Sequence, residues 1–195
     1  MKLLIAVLLL FASFAGDVNA QQFEGLIVYR IQTADMVIEQ KSWVKGDSVV
    51  IEAEDPMPRR SFANFANQEF RVFQGQTPQL HPLRDFEPQY EKTSNLKPQP
   101  EYQTINGMRT QLYTVDIPTN DRKLMTTSFW LTAELPAVVG KAIARNLLIG
   151  TAADKMYRDI ATEIRDMGKA PLMLTVAING EETMSMQVIT ATEQS

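Results

Sequence analysis

Residues 129–180 constrain this chain more than any other stretch. They read F-W-L-T-A-E-L-P, then a long helix-patterned run, then G-K-A-P-L-M-L-T-V-A-I-N-G. The pattern predicts a strand, two helices and a return strand that opens a hairpin. Pro136 suits the first turn of a helix, where its missing N–H is no loss. Val138, Val139, Ala142, Ile143 and Leu147 then recur at helical spacing, and Gly150 serves as a C-terminal cap. Thr151 restarts a helix as N-cap, with Asp154 three residues on completing a capping-box-like pair. Ala153, Met156, Ile160, Ile164 and Met167 make the apolar stripe of that second helix. Gly168 stops it and Pro171 prevents re-entry.

Everything around this stretch reads as antiparallel sheet. Phe23, Gly25, Ile27, Tyr29 and Ile31 alternate with Glu24, Leu26, Val28 and Arg30. A second strand runs from about Met36 to Val44, and Lys45-Gly46-Asp47 turns into Ser48–Ala53. Val28, Val37, Trp43 and Val50 leave both faces partly apolar, which predicts cover, at least in part, on both sides. Residues 54–60 read as a loop, followed by short apolar runs at Ser61–Phe65 and Glu69–Phe73. From Gln74 to Gln99, Pro78, Pro82, Pro88 and Pro98 interrupt any pattern, so this region reads as a long connection with at most short strands near 79–83 and 89–93. Asn106-Gly107 and Asn179-Gly180 mark two hairpins, because both residue types accept positive φ. The two hairpins bracket the helical insert, and no second-domain linker interrupts them. The expectation is one α+β domain.

The first twenty residues carry Lys2, an apolar run to Ala15, and a polar approach to Val18-Asn19-Ala20. That is the pattern of a secretory signal segment cleaved near Ala20, and the run is short against the ~20 residues of a membrane-spanning helix. The expected division is 1–20 signal peptide and 21–195 one domain. No cysteine stands near the cleavage point, so a lipid anchor is not expected. The net charge of −4 argues against a nucleic-acid surface, which needs a basic field. The chain has no cysteine, so burial and sheet pairing must hold it together without disulfides.

A search for chemistry is mostly negative. His81 is the only histidine, so no two-histidine metal motif can exist. There is no G-x-S-x-G elbow and no glycine-rich phosphate loop. Cysteine chemistry is excluded. Glu52/Glu54/Asp55 and Glu181/Glu182 sit beside turns and read as solvated strand ends, not an acid–base pair. Arg59-Arg60 could meet an anion or a lipid headgroup, although exposed loop charge is the simpler reading. No metal or cofactor is expected, and no enzyme. The methionines, among them Met36, Met108, Met125, Met156, Met167, Met173, Met184 and Met186, suit surfaces that adapt to varied apolar partners, or plain core filling.

Together F-x-G-x-I at the first strand, W-V-K-G-D, I-N-G-M-R-T-Q-L-Y-T-V, W-L-T-A-E-L-P and G-K-A-P-L resemble one group. It is the family of uncharacterised periplasmic domains, common in Bacteroidetes and relatives, that is related in fold to the LolA/LolB lipoprotein carriers. The resemblance covers the chain beyond the signal segment. It departs where family members often carry a cysteine beside the mid-chain hairpin and this chain has Thr110 and Gln111. It implies a strongly curved, open antiparallel half-barrel, with the two helices before the last hairpin covering its concave face. It assigns no functional residue.

Two functional expectations follow. One is an exported, periplasmic or envelope-bound carrier that holds a lipid or acylated protein in the sheet's concavity, with possible peripheral contact with the outer membrane. The other is a structural or interaction domain of the cell envelope whose cavity is filled by its own side chains. Helical and strand spacing single out Met156, Ile160, Ile164 and Met167, facing Leu172, Leu174 and Val176, as candidates to line an apolar ligand site. Oligomeric state is not legible.

Overall fold

The structure, a computed structural model, describes residues 23–53, 59–67, 69–74, 77–82, 96–118, 124–150 and 155–193. The expected signal segment and its cleavage point, and the expected Thr151–Asp154 cap, lie outside these residues. Among the described residues no helix is long and apolar enough to cross a membrane.

Among the described residues eleven strands form one sheet, with no crossed connection between neighbours. Six meander outward from the centre: β1 (Glu24–Thr33), β2 (Val37–Lys45), β3 (Ser48–Ala53), β4 (Arg59–Asn64), β5 (Glu69–Gln74) and β6 (Thr77–Pro82). The chain then starts again at the opposite edge and meanders back through β7 (Lys97–Ile105), β8 (Met108–Pro118), β9 (Leu124–Thr132), β10 (Ala170–Ile178) and β11 (Glu181–Glu193). β11 pairs antiparallel with β1, joining the two meanders at the sheet centre.

The turns follow from the sequence. Asn106-Gly107 and Asn179-Gly180 all have positive φ, between 51° and 85°, as their two-residue hairpins require. In the proline-rich region β6 falls near the short strand expected at 79–83, the one expected near 89–93 lies outside the described residues, and the start of β7 at Lys97 departs from expectation. The physical reason is their position: β6 and β7 are the two edges of the sheet. An edge strand tolerates prolines such as Pro78 and Pro98, because one side of its backbone has no ladder partner. The loop expected at 54–60 also ends early, with Arg59 and Arg60 already in β4.

Between β9 and β10 lie α1 (Ala137–Gly150) and α2 (Lys155–Asp166). α2 closes in a Schellman motif. The Gly168 N–H donates to the Arg165 carbonyl at 3.0 Å and the Lys169 N–H to that of Ile164 at 3.3 Å, with Gly168 at φ 65°.

One face of the sheet carries the core. A row of directly opposed residues runs Tyr113, Phe129, Leu174, Met186, Ile31 and Ile38 across six strands. Over one half, Phe23, Ile27, Tyr29, Val44 and Val49 pack with Val139, Ala142 and Ile143 of α1. Over the other, Phe129, Leu131, Leu174 and Val176 pack with Ala144 of α1 and Ile160 and Ile164 of α2. The opposite face bears the row Leu26, Trp43, Val50 and Phe62. Cover on both faces was expected, but Trp43 is 38% exposed and Val37 58%. The helices cover one face, and Trp43 lies on the other.

Candidate functional site

The covered face brings most of the sequence-predicted residues together. Ile160 and Ile164 are fully buried, and Leu174 and Val176 share their cluster. Leu172 is also buried but belongs to the neighbouring cluster under α1. Met167 is a correction. It lies one residue past the end of α2, in the turn that Gly168 closes, and is 37% exposed. The helical spacing that placed it on the stripe stops applying once the chain leaves the helix. Met156 falls on α2, but its side chain lies outside the described residues. Met125, Met184 and Met186 are half-buried at the margin of the cluster, so methionine forms its fringe more than its centre.

A cavity of about 110 Å³ sits at the sheet centre, lined by Asn106, Met108, Leu135, Ile143, Leu172 and Val188, among others. Two irregularities create it. In β11, Val28 faces Thr190 while Tyr29 faces Val188, so Ile189 is an extra, bulged residue. The tip of the β7–β8 hairpin then reaches across, and Asn106 Nδ2 donates to the Val188 carbonyl at 2.7 Å. Ile105 and Met108 follow it into the core under α1. Sequence reading saw Asn106 only as a turn residue. Its bond spans 82 positions, and nothing local announces it.

Polar groups tie α1 to the sheet. Arg145 Nη2 lies 2.7 Å from Asp47 Oδ1 in the β2–β3 turn, and its guanidinium stacks 3.7 Å from the centre of the Phe65 ring. Next along the helix, Asn146 Nδ2 donates to the Tyr29 hydroxyl at 3.2 Å, a buried contact. Burial raises the Tyr29 hydroxyl well above the usual tyrosine range, partly offset by Asn146. Asn146 Oδ1 and Ser42 Oγ are buried with no hydrogen-bond partner. Ser42 lies on the same face as Tyr29, opposite Ile27. This apolar face therefore carries unspent hydrogen-bonding capacity, which is uncommon in a packed core.

A second, wider recess of about 230 Å³ opens at the end of β8 and β9, beside the α2–β10 connection. Tyr102, Arg109, Gln111, Leu131, Glu134 and Lys169 are among its walls. Arg60, noted in the sequence, lies 3.3 Å from Glu52 across the β3–β4 pair. Among the described residues no cluster of three or more His, Asp or Glu could hold a metal ion. The side chain of His81, on β6, is outside the described residues.

The fold and site together define an open antiparallel sheet with a helix pair across its apolar face. No family model matches the chain, and no curated protein matches it. Among solved structures, the Mycobacterium tuberculosis lipoprotein LppX is similar at 9% identity and a TM-score of 0.45, covering 88% of each chain.

Proposed function

We propose that this protein is an exported, non-enzymatic module that holds an apolar ligand, a lipid or an acylated chain, between its sheet and its helix pair. The observation that carries this reading is the apolar cavity under α1, at the seam of helix, hairpin tip and sheet centre. Its 110 Å³ is below the roughly 300 Å³ at which ligand pockets usually begin. A chain-like ligand therefore needs the helices to move outward. α1 and α2 pack on each other more extensively than either packs on β10, which favours their moving as one unit.

The reading includes a half-barrel, and two distances support it. Ala170 on β10 and Phe65 beyond β4 are five strand steps apart, about 24 Å on a flat sheet. Yet α1 touches both: a Cβ at Gly140 would lie 3.5 Å from that of Ala170, and Arg145 stacks on Phe65. Residues 140 and 145 are only about 7.5 Å apart along a helix axis. The side chains can reach over much of the rest, but Asn106 at the β7–β8 tip also donates to the Val188 carbonyl on β11, three strand steps from β8 and about 14 Å away on a flat sheet. An asparagine side chain is far shorter, which supports a sheet that curls toward the helices. The concave side is the covered one.

Export is part of the proposal, with cleavage near Ala20 and a single domain from residue 21 onward. Intact-mass measurement on a periplasmic fraction checks it, and a retained N-terminal segment in membranes overturns it. Binding is tested on protein stripped of lipid by unfolding, solvent extraction and refolding, then titrated with a fluorescent fatty acid. Saturable binding of one probe per chain, competed by unlabelled oleate, is expected.

A second reading has its own observation. Phe129, Ile160 and Ile164 are completely buried, so the half of the interface under α2 is filled by the protein itself. If the stripped protein shows no saturable binding, the chain is a self-filled structural or interaction domain of the envelope.

A further inference from the structure

The recess beside the α2–β10 connection has a chemistry that the apolar interface does not explain. Arg60, Arg71, Arg145 and Arg165 each pair with a carboxylate. Arg109 and Lys169, which both line the recess, do not pair with one among the described residues. Each is held in place by other means. The Arg109 guanidinium stacks 4.3 Å from the centre of the Tyr102 ring, which fixes its plane and leaves its N–H edge unpaired. Glu134, also in the wall, does not neutralise it. Its Oε2 accepts the backbone N–H of Arg109 at 3.0 Å.

Lys169 is placed by the Schellman cap that ends α2. Its ammonium donates to the Tyr113 hydroxyl. Tyr113 in turn donates to Gln111 Oε1 at 3.2 Å, and Gln111 Nε2 to the Gln99 carbonyl at 3.0 Å. Every donor in this chain points away from the lysine, so two of the three ammonium N–H groups remain unspent. Leu131 completes the recess and is also part of the apolar cluster under α2, with Ile160, Ile164 and Leu174. A polar recess with two fixed, unpaired cations thus abuts the apolar interface.

We infer that this recess is a headgroup site for an oxyanion, a carboxylate or phosphate monoester, gripped by Arg109 and Lys169. Resting on the ligand-binding reading above, it makes the preferred ligand an anionic amphiphile whose chain runs from the recess toward the cavity under α1, which Met108 and Leu135, the neighbours of Arg109 and Glu134, line. Charge-assisted hydrogen bonds to a planar guanidinium and a positioned ammonium supply the selectivity. With two cations against one carboxylate, the recess favours an anion over a cation.

The test compares three probes on stripped protein by displacement of a fluorescent fatty acid and by calorimetry: oleate, oleyl alcohol and inorganic phosphate. In the parent, oleate binds on the order of tenfold more tightly than the alcohol, which has the same chain and no charge. In the double variant Arg109→Gln, Lys169→Met this ratio falls to near one. Each single variant falls part of the way, which keeps the test valid if the double variant folds poorly. Equal affinity for oleate and alcohol in the parent overturns the headgroup site and leaves the apolar-ligand reading standing. Phosphate binding that depends on both cations, with no binding of either amphiphile, supports an oxyanion site for a free anion and overturns the carrier. No binding of any probe overturns both.

Discussion

Tyr29 shows how much of this interface depends on single polar atoms. Its hydroxyl is buried and meets Asn146 Nδ2, while Asn146 Oδ1 finds no partner. Removing one member strands the other, so Tyr29→Phe should lower stability by about 1–2 kcal/mol. Adding Asn146→Leu should recover much of that loss, as a double-mutant cycle in urea would show. Burial raises the hydroxyl's pKa in the folded chain. Its contribution is therefore whole below the unfolded value of about 10, and it is lost as pH rises beyond that. Stability should fall above about pH 10 more steeply in the parent than in Tyr29→Phe. Gly25 is as sharply constrained. A Cβ there would lie 2.1 Å from the Thr192 carbonyl oxygen across the β1–β11 pair. Gly25→Ala should cost about 1–3 kcal/mol through overpacking at the sheet centre, read as a drop in melting temperature. The alternation Phe23, Gly25, Ile27, Tyr29 was legible in the sequence, because a period of two puts all four on one face. That Tyr29 would meet Asn146, 117 positions on, was not, since a contact between a strand and a distant helix leaves no local pattern.

Elements were legible where local chemistry dictates them and obscure where position in the sheet does. The helix pair, its glycine stop and both Asn-Gly turns follow from rules acting within a few residues. Of the proline-rich strands, β6 was legible only as a possible short run and the start of β7 not at all, because proline is tolerated there by virtue of lying at the edges of the described sheet, and edge position is a property of the whole sheet. The same limit hides the second role of the β7–β8 turn. Asn106 adopts φ 52° and also donates to Val188. Asn106→Gly keeps the turn and removes only that bond, so it should cost about 1 kcal/mol and loosen the hairpin tip. Faster hydrogen exchange at Ile105 and Met108, without global unfolding, is the expected signature. α2 offers the complementary test. Ile160 is completely buried among Phe129, Ile164 and Leu174. Ile160→Asp puts an unpaired charge there, and should cost several kcal/mol, beyond the ~2–5 of a simple truncation to alanine. A variant that melts and binds like the parent would mean that α2 does not seal this face.

At the scale of the molecule, the proposed function raises the question of how a ligand would pass beneath helices that lie closed on the sheet. α1 is joined to the sheet at one end by the chain itself, through the connection from β9. Arg145 makes its attachment to the far wing of the sheet, on Asp47 and Phe65. Between them runs an interface that, the Asn146–Tyr29 hydrogen bond apart, is mostly apolar and non-directional. Under the proposed function Arg145 would act as a latch: opening the helix pair requires its ion pair and its ring stack to part, along with the Asn146–Tyr29 bond beside it. The Arg145 side chain is 27% exposed and that of Asp47 41%, so the ion pair is partly screened by solvent. Pair and stack together should be worth about 1–2 kcal/mol, some 5- to 30-fold in an opening equilibrium. Arg145→Met keeps the length and apolar stem of the side chain and removes both interactions. Stopped-flow uptake of a fluorescent fatty acid should then accelerate by about that factor. Added salt should accelerate the parent by a smaller amount and the variant hardly at all. Release should quicken in parallel, leaving affinity nearly unchanged, because the latch gates the route and does not line the cavity under α1. If Arg145→Met melts lower than the parent yet takes up the probe at the same rate, the ligand does not pass beneath α1.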